Sequence, residues 1–258
     1  MRDRTQGPAC SIGAGAATAF RNYFVPTPMA PPPRPAWAPP APTQGAGVQT
    51  GQTAGHQLDL LAGVAAAVGN VPPGRYFSVE GGYLLASAES LSRLDAALAR
   101  ADPDELRAAL RVGVHADVEV SLAEFGAHCV PPGQVVTQVF ASAPAVAYSS
   151  TGPAPWDRFA RLLLEASYEA TLLAALENAE RGGSRRVYLT LLGGGVFGND
   201  LAWIVGAIEY ACQRVQGSSL DVRLVCYAGP GGAAVDPRVW ALETAHKDDE
   251  AGHPPRVS

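Results

Sequence analysis

The chain predicts an α/β fold, on three observations. A strand, a glycine-rich loop and a helix follow one another from Arg185 to Ala211 (RRVYLTLLGGGVFGNDLAWIVGAIEYA). A long amphipathic helical pattern precedes them, and short runs of strand character lie on either side. The 258 residues, 47% hydrophobic and 17% charged, suffice for one sizeable α/β domain carrying an insertion.

Taken in order, Gly7 to Phe20 (GPACSIGAGAATAF) is rich in small residues and reads as a helix entered through a Gly-Pro loop. Pro26 to Gly47, with Pro31, Pro32 and Pro33 in a row, cannot form a helix or a central strand. Its composition reads as an extended, solvated insertion rather than a ligand for a proline-binding partner. Helix resumes over Gln57 to Val68, and Glu80 to Ala86 reads as a strand. Ala88 to Arg100 is an amphipathic helix, and Asp102 with Pro103 opens another that runs through Leu110. Val112 to Leu122 (VGVHADVEVSL) alternates like a half-exposed strand, with His115 in a structural or surface role. Val135 to Phe140 is a further strand. A long helix runs from Trp156 to about Glu180, with Phe159, Leu162, Leu163, Ala166, Ala170 and Leu173 on one face. Val187 to Leu192 is nearly all apolar, as a parallel strand buried on both faces would be. Asn199 is a candidate N-cap for a helix in which Leu201, Ile204, Val205, Ile208 and Cys212 recur at helical spacing. Asp221 to Tyr227 is the last strand, and a polar Gly/Pro-containing tail covers 229–258.

The net charge of −5 argues against a nucleic-acid backbone as partner. Cys10, Cys129, Cys212 and Cys226 are scattered without a CxxC pair and read as reduced core or near-core residues of a cytoplasmic protein. The five histidines have no metal-ligand spacing, so no metal is expected; no cofactor is expected either. No apolar run reaches the roughly 18–20 residues of a membrane span, so no membrane partner is expected. MRDRTQGPAC carries no hydrophobic signal region.

Gly193, Gly194, Gly195 and Gly198 let the backbone approach a ligand closely, and a helix N-terminus favours anions. The local reading is a phosphate-cradling loop at the carboxyl end of a strand, against a ligand-free tight turn. Gly193-x-Gly195-x-x-Gly198 formally matches the dinucleotide fingerprint, but the next strand has its acid, Asp221, at the wrong end to hold a ribose. No Lys-Ser/Thr pair follows the glycines, which excludes a Walker A loop. Asp200, in the first turn of the helix, reads as a capping residue. Phe197 either stacks on a sugar or fills the core beneath the loop.

Val135 to Gly229 resembles the C-terminal half of a macrodomain: strand, loop, long helix, strand, a Gly-aliphatic-aromatic-Gly loop, helix, last strand. Here that loop is Gly195-Val196-Phe197-Gly198. Three stretches sharpen the resemblance, DRTQGPACSIGAGAATAFRNYFV (Asp3 to Val25), GQT with Gln57 and Asp59 (Gly51 to Asp59), and LTLLGGGVFGND (Leu189 to Asp200). They look like a divergent macrodomain branch that includes hydrolases removing ADP-ribose from arginine side chains, ubiquitin among their substrates. The resemblance implies a three-layer α/β/α mixed sheet over 1–228, interrupted by the insertion at about 26–47. It implies ADP-ribose, or an ADP-ribosylated protein such as ubiquitin, as the partner. The residues carried over for ADP-ribose are Gln6, Gly7, Gly193, Gly194, Gly195, Val196, Phe197, Gly198 and Asn199, with Asp3 as the catalytic acid.

In such a domain a central strand, an Asn-containing loop and a further acid precede the helix that begins near Gly7. The sequence as given starts two residues before Asp3 and has no counterpart for them. The expectation is an N-terminally incomplete or degenerate member, lacking a central strand and reduced in stability by unpaired strand edges. The chemistry implied is cleavage of the bond between C1 of the distal ribose and an arginine nitrogen. Oxocarbenium-like charge builds on the ribose, and a carboxylate can stabilise it and take a proton from water. A reader or pseudoenzyme that binds ADP-ribose without cleaving it, and an unrelated nucleotide-binding α/β protein, stand beside this reading.

Overall fold

Capping chemistry places the helices close to where the sequence marks them. The structure, a computed structural model, describes residues 59–71, 74–80, 83–120, 122–123, 128–226 and 237–239. The Gly7–Phe20 helix, the proline insertion, Cys10, the Asp3–Gly7 stretch and nearly all of the tail lie outside the described residues. Among those described, the protein is mixed α/β. The chain divides into two units, Met1–Leu60 with Val79–Tyr83 and Gly113–Phe140, and Leu61–Ser78 with Leu84–Val112 and Ala141–Ser258.

The described part of the first unit is built on an antiparallel pair. Strands β3 (Gly113–Glu119) and β6 (Val135–Phe140) pair from Gly113 opposite Phe140 to Glu119 opposite Val135. Two-residue strands β4 (Leu122–Ala123) and β5 (His128–Cys129) pair within the connection. The regular alternation read from sequence is broken in β3. The register shifts between His115 and Val118, and Asp117 takes a positive φ of 53°. Such a bulge puts an extra residue in one strand and switches which parity faces inward. Gly113 and Val118, of opposite parity, are the buried positions, while Val114 is exposed. Cys129 is also exposed, against the near-core expectation.

The 80–86 segment is two strands, not one: β1 (Ser78–Glu80) and β2 (Tyr83–Leu85) pair with each other. Gly81-Gly82 in the sequence is the signal for that break.

The second unit is helical around one parallel strand pair. Helix α1 (Ala62–Ala67) is shorter than the segment expected: residues 60–61 form a turn, Leu61 offers no side-chain cap, and Gln57 and Leu58 lie outside the described residues. Ser87 caps α2 (Ala88–Leu98) by accepting from Ser90 N–H, and Asp102 caps α3 (Pro103–Ala109) by accepting from Asp104 N–H. Helix α4 (Asp157–Glu180) packs against α2, α3 and, most extensively, α5 (Leu201–Arg214). Phe159, Leu163 and Ala166 are buried as expected, but Leu173 is 52% exposed and Leu172 takes its place in the core. Arg107 locks three helices: its guanidinium meets Glu165 of α4 at 2.7 Å and lies 4.5 Å from the ring centroid of Tyr210 on α5.

Strand β7 (Arg186–Thr190) pairs in parallel with β8 (Asp221–Val225), in register from Arg186 opposite Asp221 to Thr190 opposite Val225. Among the described residues only one face is covered. Val187 and Leu189 are buried, whereas Tyr188 is 60% exposed, which corrects the expectation of burial on both faces. The open face carries Arg186, Asp221 and Arg223, whose ion pairs at 3.2 and 2.9 Å suit water. The two Arg partners, Arg223 first, hold the Asp221 carboxyl below its usual range. Among the described residues, no helix is long and apolar enough to cross a membrane. From β6 through α4, β7, the glycine loop, α5 and β8, the elements follow in the order expected from sequence.

Candidate functional site

Tyr168 fixes the point at which the chain leaves β7. Its hydroxyl donates to Thr190 O at 2.7 Å and accepts from Leu192 N–H at 2.8 Å, bridging α4 to the strand end. Burial pushes its pKa up to about 12, partly offset by the Leu192 hydrogen bond. Just beyond, Gly194 N–H donates to Leu191 O, and Asn199 N–H closes the loop on Gly193 O at 3.1 Å.

Two glycines are required by the loop itself. Gly193 has φ of 79°, and a side chain there would collide with Ala143 and Asn199. Gly198 has φ of 66°, and an added Cβ would stand 2.9 Å from Ala147 Cβ. Both lie against the 141–148 segment, which Ala147 N–H ties to Phe197 O at 2.9 Å. Gly195 is different. Its φ is not positive, and an added Cβ would meet nothing within 4 Å. With Val196, 76% exposed, it forms an open apex. No hydrogen bond among the described residues takes up the N–H of Gly195 or Val196.

Asn199 does not cap the helix. Its side chain is turned inward, only 6% exposed, and its Nδ2 donates to Pro144 O at 2.8 Å and to Gly193 O at 3.3 Å. Its Oδ1 is buried without a partner among the described residues. Asp200 is the N-cap of α5, accepting from Ala202 N–H at 2.7 Å, as its capping reading required. The helix N-terminus therefore already holds a carboxylate, and the anion-favouring end is occupied by the protein's own charge. Gly195 N–H and Val196 N–H on the apex are among the donors left for a ligand.

Phe197 is half-buried and meets Tyr148 edge to face, with centroids 5.6 Å apart and planes at 81°. Tyr148 ends a single 3₁₀ turn, Val146–Tyr148, that is braced from below. Ser149 Oγ donates to Val146 O, and the indole N–H of Trp156, fully buried, reaches Ser149 Oγ and Thr151 Oγ1 at 3.1 and 3.0 Å.

No family model, curated protein or solved structure matches this chain.

The structure brings Gly193, Gly194, Gly195, Val196, Phe197, Gly198 and Asn199 into one loop; Asp3, Gln6 and Gly7 lie outside the described residues. Sequence reading missed Tyr148, Trp156 as a brace, and Tyr168. Tyr148 and Tyr168 act on residues far along the chain, Phe197 and Thr190–Leu192, while Trp156 braces the nearby Ser149 and Thr151. A separate cavity of about 700 Å3 lies between α2, α3 and the first turns of α4. Its guanidinium groups are matched to carboxylates, Arg107 to Glu165, Arg158 to Asp95 and Arg161 to Asp157. That pairing gives it little claim on an anionic ligand.

Proposed function

We propose that the Gly193–Asn199 loop binds ADP-ribose, and that the protein removes ADP-ribose from modified arginine on a protein substrate, ubiquitin being a candidate. The observation that supports the binding half is the exposed apex at Gly195 and Val196. There two backbone N–H groups are unengaged among the described residues, in a loop anchored by Asn199 and walled by an aromatic pair. Backbone donors without a side chain in the way suit a diphosphate. The three-layer macrodomain sheet belongs to the same proposal and rests on the sequence resemblance, and a cytoplasmic setting is proposed with it from the scattered cysteines.

The chemical half rests on Asp3 and on the DRTQGPAC resemblance. A carboxylate beside the distal ribose would stabilise positive charge as the C1–N bond breaks. It would also take the proton of the attacking water, while the leaving guanidine accepts a proton. Asp200, the one carboxylate in the loop segment, is committed to capping. This favours a binding-only protein as the second reading should Asp3 not serve. Titration calorimetry with ADP-ribose, NAD, ATP and AMP tests binding, with ADP-ribose expected to bind most tightly. Preference for ATP or AMP would favour an unrelated nucleotide protein. Release of free ADP-ribose from an arginine-modified substrate, lost in Asp3→Asn with binding kept, is the hydrolase outcome. Binding without release is the reader outcome.

A further inference from the structure

Two arginines share one aromatic ring in the second unit. Arg75 Cζ lies over the Tyr76 ring, 5.1 Å from its centroid, and Arg93 Cζ, from α2, lies over the same ring at 5.8 Å. Both arginines are exposed, while Tyr76 is buried. The ring is held in place by its neighbours. Asn70, itself buried, accepts from Tyr76 N–H at 2.8 Å and donates through Nδ2 to Phe77 O at 3.0 Å. Phe77 in turn packs on Phe159 of α4, with ring centroids 5.3 Å apart. A guanidinium drawn to a ring face keeps the in-plane N–H groups of its fork for other acceptors. Arg75 commits one of them to Gly69 O, at a long 3.5 Å.

Neither arginine meets a carboxylate among the described residues, whereas Arg107, Arg158, Arg161, Arg181 and Arg214 each do, at 3.0 Å or less. Glu89 stands four residues before Arg93 on α2, the spacing of a helical ion pair, yet Arg93 turns to Tyr76 instead. Two like charges gathered at one ring repel each other, and an anion that meets both relieves that cost. We propose that Arg75 and Arg93 form a docking point for an acidic segment of a partner protein. A segment with several carboxylates can meet both forks at once, and arginines already placed on a ring lose little freedom when it does. The chain as a whole carries a net charge of −5, so it does not draw polyanions generally and the local pair has to supply the attraction. Neither arginine belongs to the glycine loop, so the test is independent of ADP-ribose binding.

The test is fluorescence anisotropy of a labelled oligo-aspartate peptide titrated with the whole chain at low ionic strength, with an oligo-asparagine peptide as the uncharged control. Wild type should bind the aspartate peptide and not the asparagine one, and its affinity should fall as salt is raised. Arg75→Gln combined with Arg93→Gln should weaken binding by about tenfold or more. Arg111→Gln combined with Arg185→Gln removes the same charge from exposed arginines that share no ring, and should change affinity by less than about twofold. Thermal melts of the same samples verify folding. Should the Arg75 and Arg93 double variant melt early, the single changes carry the test, each weakening binding by about threefold. Unchanged affinity in the Arg75 and Arg93 variants overturns the proposal. Equal weakening by the two double variants also overturns it, because net charge alone would then account for binding. A wild-type protein that binds neither peptide, or both alike, overturns it as well.

Discussion

Replacing Asn199 by Asp should harm the protein more than replacing it by Ala, although Asp is nearly isosteric. The side-chain nitrogen donates to Pro144 O at 2.8 Å and to Gly193 O at 3.3 Å, in a residue 6% exposed. Alanine removes both bonds and leaves Pro144 O short of a donor. At about 1 kcal/mol net for the shorter bond and about 1–2 kcal/mol for the stranded carbonyl, the cost is roughly 2–3 kcal/mol. Aspartate substitutes an anionic oxygen for the donor, facing two carbonyl oxygens away from water. At neutral pH it must be buried charged or take up a proton, and the cost rises to about 4 kcal/mol or more. Its folded-state pKa is then raised above the unfolded value. The penalty is therefore small below about pH 4, the unfolded carboxyl range, and grows as the pH rises through the folded pKa. Urea unfolding followed by fluorescence, with Trp156 and Trp203 buried as reporters, measures this at pH 4 and pH 7. An Asp variant as stable as the Ala variant at pH 7, with no pH dependence between them, would refute a donor role for Asn199.

Tyr168→Phe should cost about 1–2 kcal/mol at pH 7, from the lost bonds to Thr190 and Leu192. With the Tyr168 pKa at about 12, its contribution is complete below about pH 10 and fades as pH rises through 12, so the stability gap to Phe should narrow between pH 9 and pH 11.5 in denaturant titrations. Asp200→Ala removes the cap on Ala202 N–H and should lower stability by about 1 kcal/mol, read as a lower melting temperature; an unchanged one would count against the cap.

The helices were legible because their signals are local. Asp102-Pro103 marks the start of α3, and the apolar periodicity from Phe159 to Ala166 marks the buried stripe of α4. Features set by partners across the chain were not. Asn199 and Asp200 are both competent caps, and only the approach of Pro144 and Gly193 decides that Asn199 turns inward and Asp200 caps. Tyr188 looks apolar enough for a strand covered on both faces, but its exposure depends on which layers lie beside β7. The bulge at Ala116-Asp117 breaks an alternation that the side chains alone present as regular. At the site, four glycines read alike in sequence. The structure separates Gly193 and Gly198, which positive φ and close packing demand, from Gly195, which packing does not.

That separation supplies the most direct measurement. Gly195→Val projects into open space at a non-positive φ, so the fold should tolerate it, whereas any ligand lying on the apex should not. Titration of wild type and Gly195→Val with ADP-ribose, alongside thermal melts, decides the matter. Melting temperatures should agree within about 2 °C, and the variant should lose at least tenfold in affinity. Tight binding of ADP-ribose by Gly195→Val, at wild-type affinity, would contradict the assignment of the loop apex as the ligand site.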